Sequence, residues 1–197
     1  EGGIILGIGG DNSKGSAGSF FEGVMTAGFP SDATENSVQA NIAAVGYSTT
    51  VGSNLLTNGN IESGTAGWSV FGTGTLTANT TAPHSGAESL LLTGRTASWN
   101  GPSQDLTTKV TNGKTYTTSV WVKTQTGTPT AKVTLAVTAN GTTNFITLAQ
   151  GAVNSAGWTL LTGTAPVSWT GTLTSARFYV ETLAGTDNIG VDDASMQ

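Results

Sequence analysis

The sequence predicts an all-β protein, and three observations carry that prediction. Short apolar runs alternate with polar residues and are separated by Gly, Asn and Thr. Glycine is abundant, at 28 of 197 residues, and the hairpin dipeptide Asn-Gly occurs at 112–113 and 140–141. Period-two alternation sorts whole segments into two faces: Val133, Leu135 and Val137 share one, while Lys132, Thr134 and Thr138 share the other. With 37% hydrophobic residues the chain can bury a core, so disorder is not expected.

Residues 1–47 form a first unit with mixed signals. Ile4–Ile8 is a short apolar run of buried-strand type, and Phe20–Met25 is a second strand candidate. A helix then opens with Asp32 as N-cap and Glu35 three residues on, the spacing of a capping box. Val38, Ile42 and Val45 give it one apolar face, and Gly46 is its natural stop. Residues 48–53 are short, polar and without period, and read as a linker.

Residues 54–197 read as one antiparallel sandwich. Strands are expected near 68–71, 75–80, 88–93, 104–108, 115–123, 131–139, 143–149, 157–164, 173–181 and 187–196. In 115–123, Val120 and Val122 turn inward and Ser119, Trp121 and Lys123 outward. In 175–181, Ala176, Phe178 and Val180 turn inward, which sends Arg177, Tyr179 and Glu181 outward together. Such a triplet offers donors, an acceptor and a flat ring on one patch, the mixture that sugars select. An ordinary solvated strand face has the same alternation, so pattern alone leaves both readings open.

Composition excludes several classes. The net charge is −5 and the seven Lys and Arg are scattered, which argues against nucleic acid or an anionic membrane surface as partner. No run of about 18 apolar residues exists, so no membrane-spanning helix is expected. The absence of cysteine rules out disulfides and thiolate zinc. Asn79-Thr-Thr and Asn140-Gly-Thr fit the glycosylation sequon, and a chain beginning at Glu1 would have lost a secretion signal, so an extracellular location is expected. Trp68 and Trp158 each start a strand after a glycine and are expected in the core, with Trp169 undecided. The single histidine, His84, beside Pro83 and Ser85, reads as a turn residue.

The stretches "GGIILGIGGDNS", "FFEGVMTAGFPSDATENSVQANI" and "VGYS" resemble the C-terminal end of the catalytic domain of glycoside hydrolase family 54, the α-L-arabinofuranosidases. The resemblance implies a fragment of a β-sandwich domain that removes arabinofuranose from arabinoxylan or arabinan with retention. It assigns Asp11, in the Gly-Gly-Asp-Asn-Ser turn, as general acid/base and Gly10 as a backbone contact to the sugar. A retaining glycosidase needs a second carboxylate about 5–5.5 Å away as nucleophile. Glu1, Glu22, Asp32 and Glu35 do not match that position, so this chain alone is expected to be inactive. The expected partner is the remainder of the catalytic domain as a separate, nicked chain.

The stretches "NLLTNGNIESGTAGWSVFG", "HSGAESLLLTGRTASWNGPSQDL", "GKTYTTSVWVK", "WTLLTGT" and "RFYVETLAGTDNIGVDDASM" resemble the carbohydrate-binding modules of the family 4/9/22 group, family 22 above all. This implies a jelly-roll β-sandwich with a groove for β-linked plant cell-wall glycans, xylan in family 22. By that resemblance Trp99 is a sugar-stacking residue, Tyr179 and Glu181 lie in the groove, and Phe145 stands where xylan binders place a tyrosine. An expected arginine is replaced by the "SVF" of positions 69–71, for which Arg95, Trp121 and Arg177 are candidate substitutes. The group holds a structural calcium ion, here matched by Glu62, Asp192 and Asp193, oxygen donors of the kind this cation takes. The whole reads as part of a secreted arabinofuranosidase. The alternatives are a non-catalytic glycan-binding protein with a relic catalytic segment and a structural sandwich without ligand.

Overall fold

A computed structural model describes residues 53–197; the expected strands at 4–8 and 20–25, the helix after Asp32 and nearly all of the linker lie outside the described residues. Ten strands follow in chain order. They are β1 (Ser69–Phe71), β2 (Thr75–Asn79), β3 (Ser89–Thr93), β4 (Gly101–Asp105), β5 (Lys114–Thr124), β6 (Thr130–Ala139), β7 (Thr142–Ala152), β8 (Thr159–Val167), β9 (Leu173–Thr182) and β10 (Ile189–Met196). Every expected strand of residues 54–197 is present, and no helix occurs among the described residues.

The strands form two five-stranded sheets, ordered β1-β4-β9-β6-β7 (sheet one) and β2-β3-β10-β5-β8 (sheet two). All pairings are antiparallel. The chain crosses repeatedly between the sheets, as a jelly roll does, and stays within one only at the hairpins β2-β3 and β6-β7 of the described residues. The inward alternation reads out as expected: Val120, Val122, Val133, Leu135, Val137, Ala176, Phe178 and Val180 are all fully buried between the sheets. Trp68 joins them, meeting Phe178 edge-on with ring centroids 6.2 Å apart.

One strand is displaced from its expected place. β4 ends at Asp105 rather than beginning near it. The Asp105 carboxylate accepts from the Thr107 amide at 2.8 Å and its hydroxyl at 2.6 Å. That Asx-type turn closes the strand where apolar alternation suggested continuation.

The segment before β1 is tied to the end of the chain. Asn54 donates from Nδ2 to the Ala194 carbonyl (2.9 Å) and accepts from the Met196 amide (3.0 Å), and Leu55 N–H donates to the Met196 carbonyl at 2.8 Å. β10 therefore sits in the middle of sheet two with both edges of its backbone engaged.

Candidate functional site

The side chains of sheet one that turn away from the core form rows across its strands. One row runs through all five: Ser69, Ser103, Tyr179, Thr134, Thr147. A second runs Asp105, Arg177, Ala136, Phe145, and a third sets Glu181 beside Lys132 and Gln150. The Arg177–Tyr179–Glu181 triplet thus occupies the central strand of the sheet.

Its side chains point outward, as parity requires, but two of them are covered. Tyr179 is 2% exposed and Glu181 is 6% exposed. Phe71, on the edge strand β1, stacks over the Tyr179 ring with centroids 4.2 Å apart and planes 18° from parallel. Burial first, and then the Glu181 charge, push the Tyr179 phenol well above its ordinary range, so it stays an O–H. Glu181 accepts from the Thr134 hydroxyl at 2.6 Å and pairs with Lys132 Nζ at 3.0 Å, both through Oε1. The open patch expected from β9 is therefore a half-covered polar centre, because alternation fixes where a side chain points and not what a distant strand lays on top.

The exposed rings lie to either side of that centre. Trp99 is 49% exposed and Phe145 is 59% exposed. Trp99 meets Phe71 edge-on at 6.0 Å, so Phe71, Trp99 and Tyr179 form one aromatic cluster. Phe145 stands on β7 at the opposite edge of the sheet. Four strand steps of about 4.8 Å separate β1 from β7, so roughly 19 Å of sheet lies between the two aromatic walls.

The loop that presents Trp99 is built from inside. The Arg95 guanidinium, 6% exposed, donates to the carbonyl oxygens of Asn100 (2.8 Å), Ser98 and Asp187 and to the Thr182 hydroxyl (2.8 Å). Burial lowers its pKa from the usual arginine value, with Asp187 and then Glu181 opposing. Asn100 Oδ1 accepts from the Thr96 and Ala97 amides at 3.0 and 2.8 Å, closing the turn. The Trp99 ring rests on Gly72: a Cβ there would lie 2.4 Å from Trp99 Cζ3, and the backbone has φ of 82°. Only glycine meets both conditions.

Among the candidate substitutes for the missing arginine, only Arg177 reaches this face through its side chain, donating to Ser69 Oγ (3.2 Å) and Ser103 Oγ (3.3 Å). Arg95 is spent on the loop. Trp121 is on sheet two, where it stacks on His84 at 3.7 Å. Phe71, part of the "SVF" that replaced the arginine, is the member that sequence reasoning missed. Its outward parity with Ser69 on β1 was the available signal.

The expected metal residues gather around the loop 84–88. Glu62 accepts from the Ala87 amide at 3.0 Å and the Glu88 amide at 3.3 Å. Asp192 is fully buried, which pushes its carboxyl pKa up, and Oδ2 accepts from the His84 amide at 2.8 Å and the Ser85 amide at 3.3 Å. Asp193 turns away, to His84 Nδ1 at 2.7 Å. Glu62 and Asp192 thus meet on one short loop, as two carboxylates of a hard-cation site would, while Asp193 is engaged elsewhere. No group of three potential metal-ligating side chains occurs among the described residues.

Asp11 and Gly10 lie outside the described residues. Trp169 packs against the core from a half-buried position. Trp158 departs from the core expectation: it is half-exposed on the outer side of sheet two, with Nε1 donating to the Ala82 carbonyl at 3.1 Å. Gly157 before it belongs to a turn at the sheet edge, which places the ring outside rather than between the sheets.

Comparison with known proteins divides the chain in the same way. Residues 53–187 match the family model described as "Carbohydrate binding domain", and residues 1–48 match "Alpha-L-arabinofuranosidase B, catalytic". A probable alpha-L-arabinofuranosidase B of Aspergillus fumigatus is 76% identical over 49 residues, covering 25% of this chain and 10% of that protein. An alpha-L-arabinofuranosidase of Hypocrea jecorina is 77% identical over 47 residues, covering 24% of this chain and 9% of that protein. The chain thus spans about a tenth of the length of these relatives. Among solved structures, a xylan-binding domain of carbohydrate-binding module family 22 is 27% identical with a TM-score of 0.63, covering 70% of this chain and 90% of that one. The C-terminal family 22 module of Clostridium thermocellum Xyn10B is 27% identical with a TM-score of 0.62, covering 70% and 89%.

Proposed function

We propose, from the premise that this chain belongs to the carbohydrate binding domain family through residues 53–187, that the outer face of sheet one is its glycan groove. The observation that carries this reading is the arrangement of that face: an aromatic cluster with Trp99 exposed, an exposed Phe145 across the sheet, and a Glu181–Lys132 pair between. Aromatic faces take up the C–H faces of sugar rings, and the central carboxylate accepts from their hydroxyls. The span suits a chain segment rather than a single sugar. Xylan or the xylan backbone of arabinoxylan is the ligand class favoured, since the family 22 neighbour is a xylan-binding domain; arabinan is the other candidate.

Calorimetric titration with xylohexaose tests this. The full chain is expected to bind, and Trp99→Ala to bind about tenfold more weakly. An unchanged affinity in Trp99→Ala would remove the groove reading.

Glu62 and Asp192 are proposed to hold a structural calcium ion that fastens the 84–88 loop, with Asp193 as their neighbour on His84. The ion would offset the charge of two carboxylates drawn onto one short loop. Removal by EDTA is expected to lower the thermal midpoint and added calcium to restore it; a midpoint indifferent to both would sink the assignment.

A wider reading places the module in a secreted, extracellular arabinofuranosidase acting on arabinose-substituted plant polysaccharide. It is favoured by the match of residues 1–48, which include the Gly-Gly-Asp-Asn-Ser turn, to the arabinofuranosidase B catalytic family, and by the 76% identity over 49 residues. There Asp11 is the general acid/base, Gly10 contacts the sugar, and the nucleophile comes from the remainder of the catalytic domain. Arabinofuranoside turnover by the natural protein decides between this and a glycan-binding protein with a relic segment. Turnover that is lost in Asp11→Asn supports the enzyme. Xylan binding without turnover supports the relic.

A further inference from the structure

The outward side chains of sheet two also line up across strands, and one position in the line is vacant of side chain. Leu91 on β3, Gly190 on β10 and Lys123 on β5 are register partners. Gly190 therefore leaves a slot in the sheet surface between an apolar wall and a lysine. Trp158 leans over this slot: a Cβ on Gly190 would lie 3.1 Å from its Cη2. The hydrogen bond from its indole N–H to Ala82 fixes the ring in that position.

The result is a cleft of about 380 Å³, within the range of small-ligand sites, about 300–1,000 Å³. Asn79 and Gln125 bring amides to it, and Ser155 and Thr81 bring hydroxyls. Gln125 accepts from Asn188 through Oε1 at 2.7 Å, which leaves its amide hydrogens free to donate. Lys123 is the one charged residue in the lining, and it forms no ion pair among the described residues.

These features select a ligand class. A tryptophan beside amides and hydroxyls suits a sugar ring. An unpaired ammonium with no carboxylate in the lining favours an anion, and a single cation matches a single carboxylate rather than a polyphosphate. We propose that this cleft is a second saccharide site, on the opposite side of the sandwich from the groove, which takes a sugar unit bearing a carboxylate: a uronic acid. The proposal takes its ligand class from the glycan-binding reading of the chain, but it uses none of the groove's residues.

The test is a nuclear magnetic resonance titration of the ¹⁵N-labelled full chain carrying Trp99→Ala, which weakens the groove and leaves the cleft intact. Sodium D-glucuronate is the probe, D-glucose its neutral counterpart, and the Trp158 indole and Gly190 amide signals the readout. Saturable shifts are expected with glucuronate, about tenfold weaker binding with glucose, and a similar loss in Lys123→Gln or at high salt. Gly190→Ala fills the slot while keeping Lys123, and is expected to abolish the shifts. Absence of saturable shifts, equal response to glucose, or unchanged binding in both variants would each overturn the proposal. Failure of the groove reads out separately, as absent xylohexaose binding in the chain with Trp99 intact.

Discussion

The two outer faces of this sandwich share one core and treat their surface differently. Sheet one is more open: Phe71 lies over Tyr179 at its polar centre, and its exposed rings, Trp99 and Phe145, stand at the margins. Sheet two is roofed over part of its area by the loop 80–88, which stacks His84 on Trp121 and drops two amides onto the buried Asp192. Where the roof stops, the bare backbone of Gly190 makes a compact cleft instead of a long groove. The comparison teaches that the strands alone do not decide what a sheet face can bind. One long loop converts an extended platform into a pocket for something small.

The largest break in this comparison comes from the core that both faces share. Phe178 is fully buried and alternates with Arg177 and Tyr179 on β9. Phe178→Ala is expected to cost about 3–5 kcal/mol and to weaken both faces together, measured by denaturant unfolding. Arg95→Met separates them. Removing the buried guanidinium leaves the Asn100 carbonyl without its donor and takes one donor from the Ser98 carbonyl, which keeps the Thr182 amide, at a cost of about 1–3 kcal/mol. It is expected to lower glycan affinity through the Trp99 loop while the Trp158 indole signal stays in place. Equal disturbance of both faces would mean that Arg95 acts on the fold and not on the loop. Phe145→Tyr is the smallest change. It adds one hydroxyl at an exposed ring and is expected to raise xylohexaose affinity no more than about fivefold, with no change in stability.

Much of this architecture was legible in the chain. Period-two alternation was clearest in β5, β6 and β9, whose apolar faces are buried in the core and would be exposed by a one-residue slip. It also put Tyr179 and Glu181 on the correct side of β9. Their covering was not legible, because Phe71 lies more than a hundred residues earlier and meets Tyr179 only through the order β1-β4-β9. The same is true of Trp158, whose glycine-then-strand context matches that of Trp68 although one ring is outside and the other in the core. Local pattern carries direction; sheet order carries neighbourhood. The roles proposed for Asp11 and for Glu62, Asp192 and Asp193 rest on resemblance, since a lone Asp in a glycine turn and paired acids at a strand end have no period to read.

The placement of β10 has a consequence for how the module comes into being. The last strand of the module is the middle strand of sheet two, held by β3 on one side and β5 on the other, with the Asn54 segment stitched to its end. Until residues 189–196 have left the ribosome, sheet two is two separate pieces with raw edges facing one another. The module therefore cannot close until its final strand is made, and it assembles in one late step from contacts distant in sequence, which makes it a slow folder.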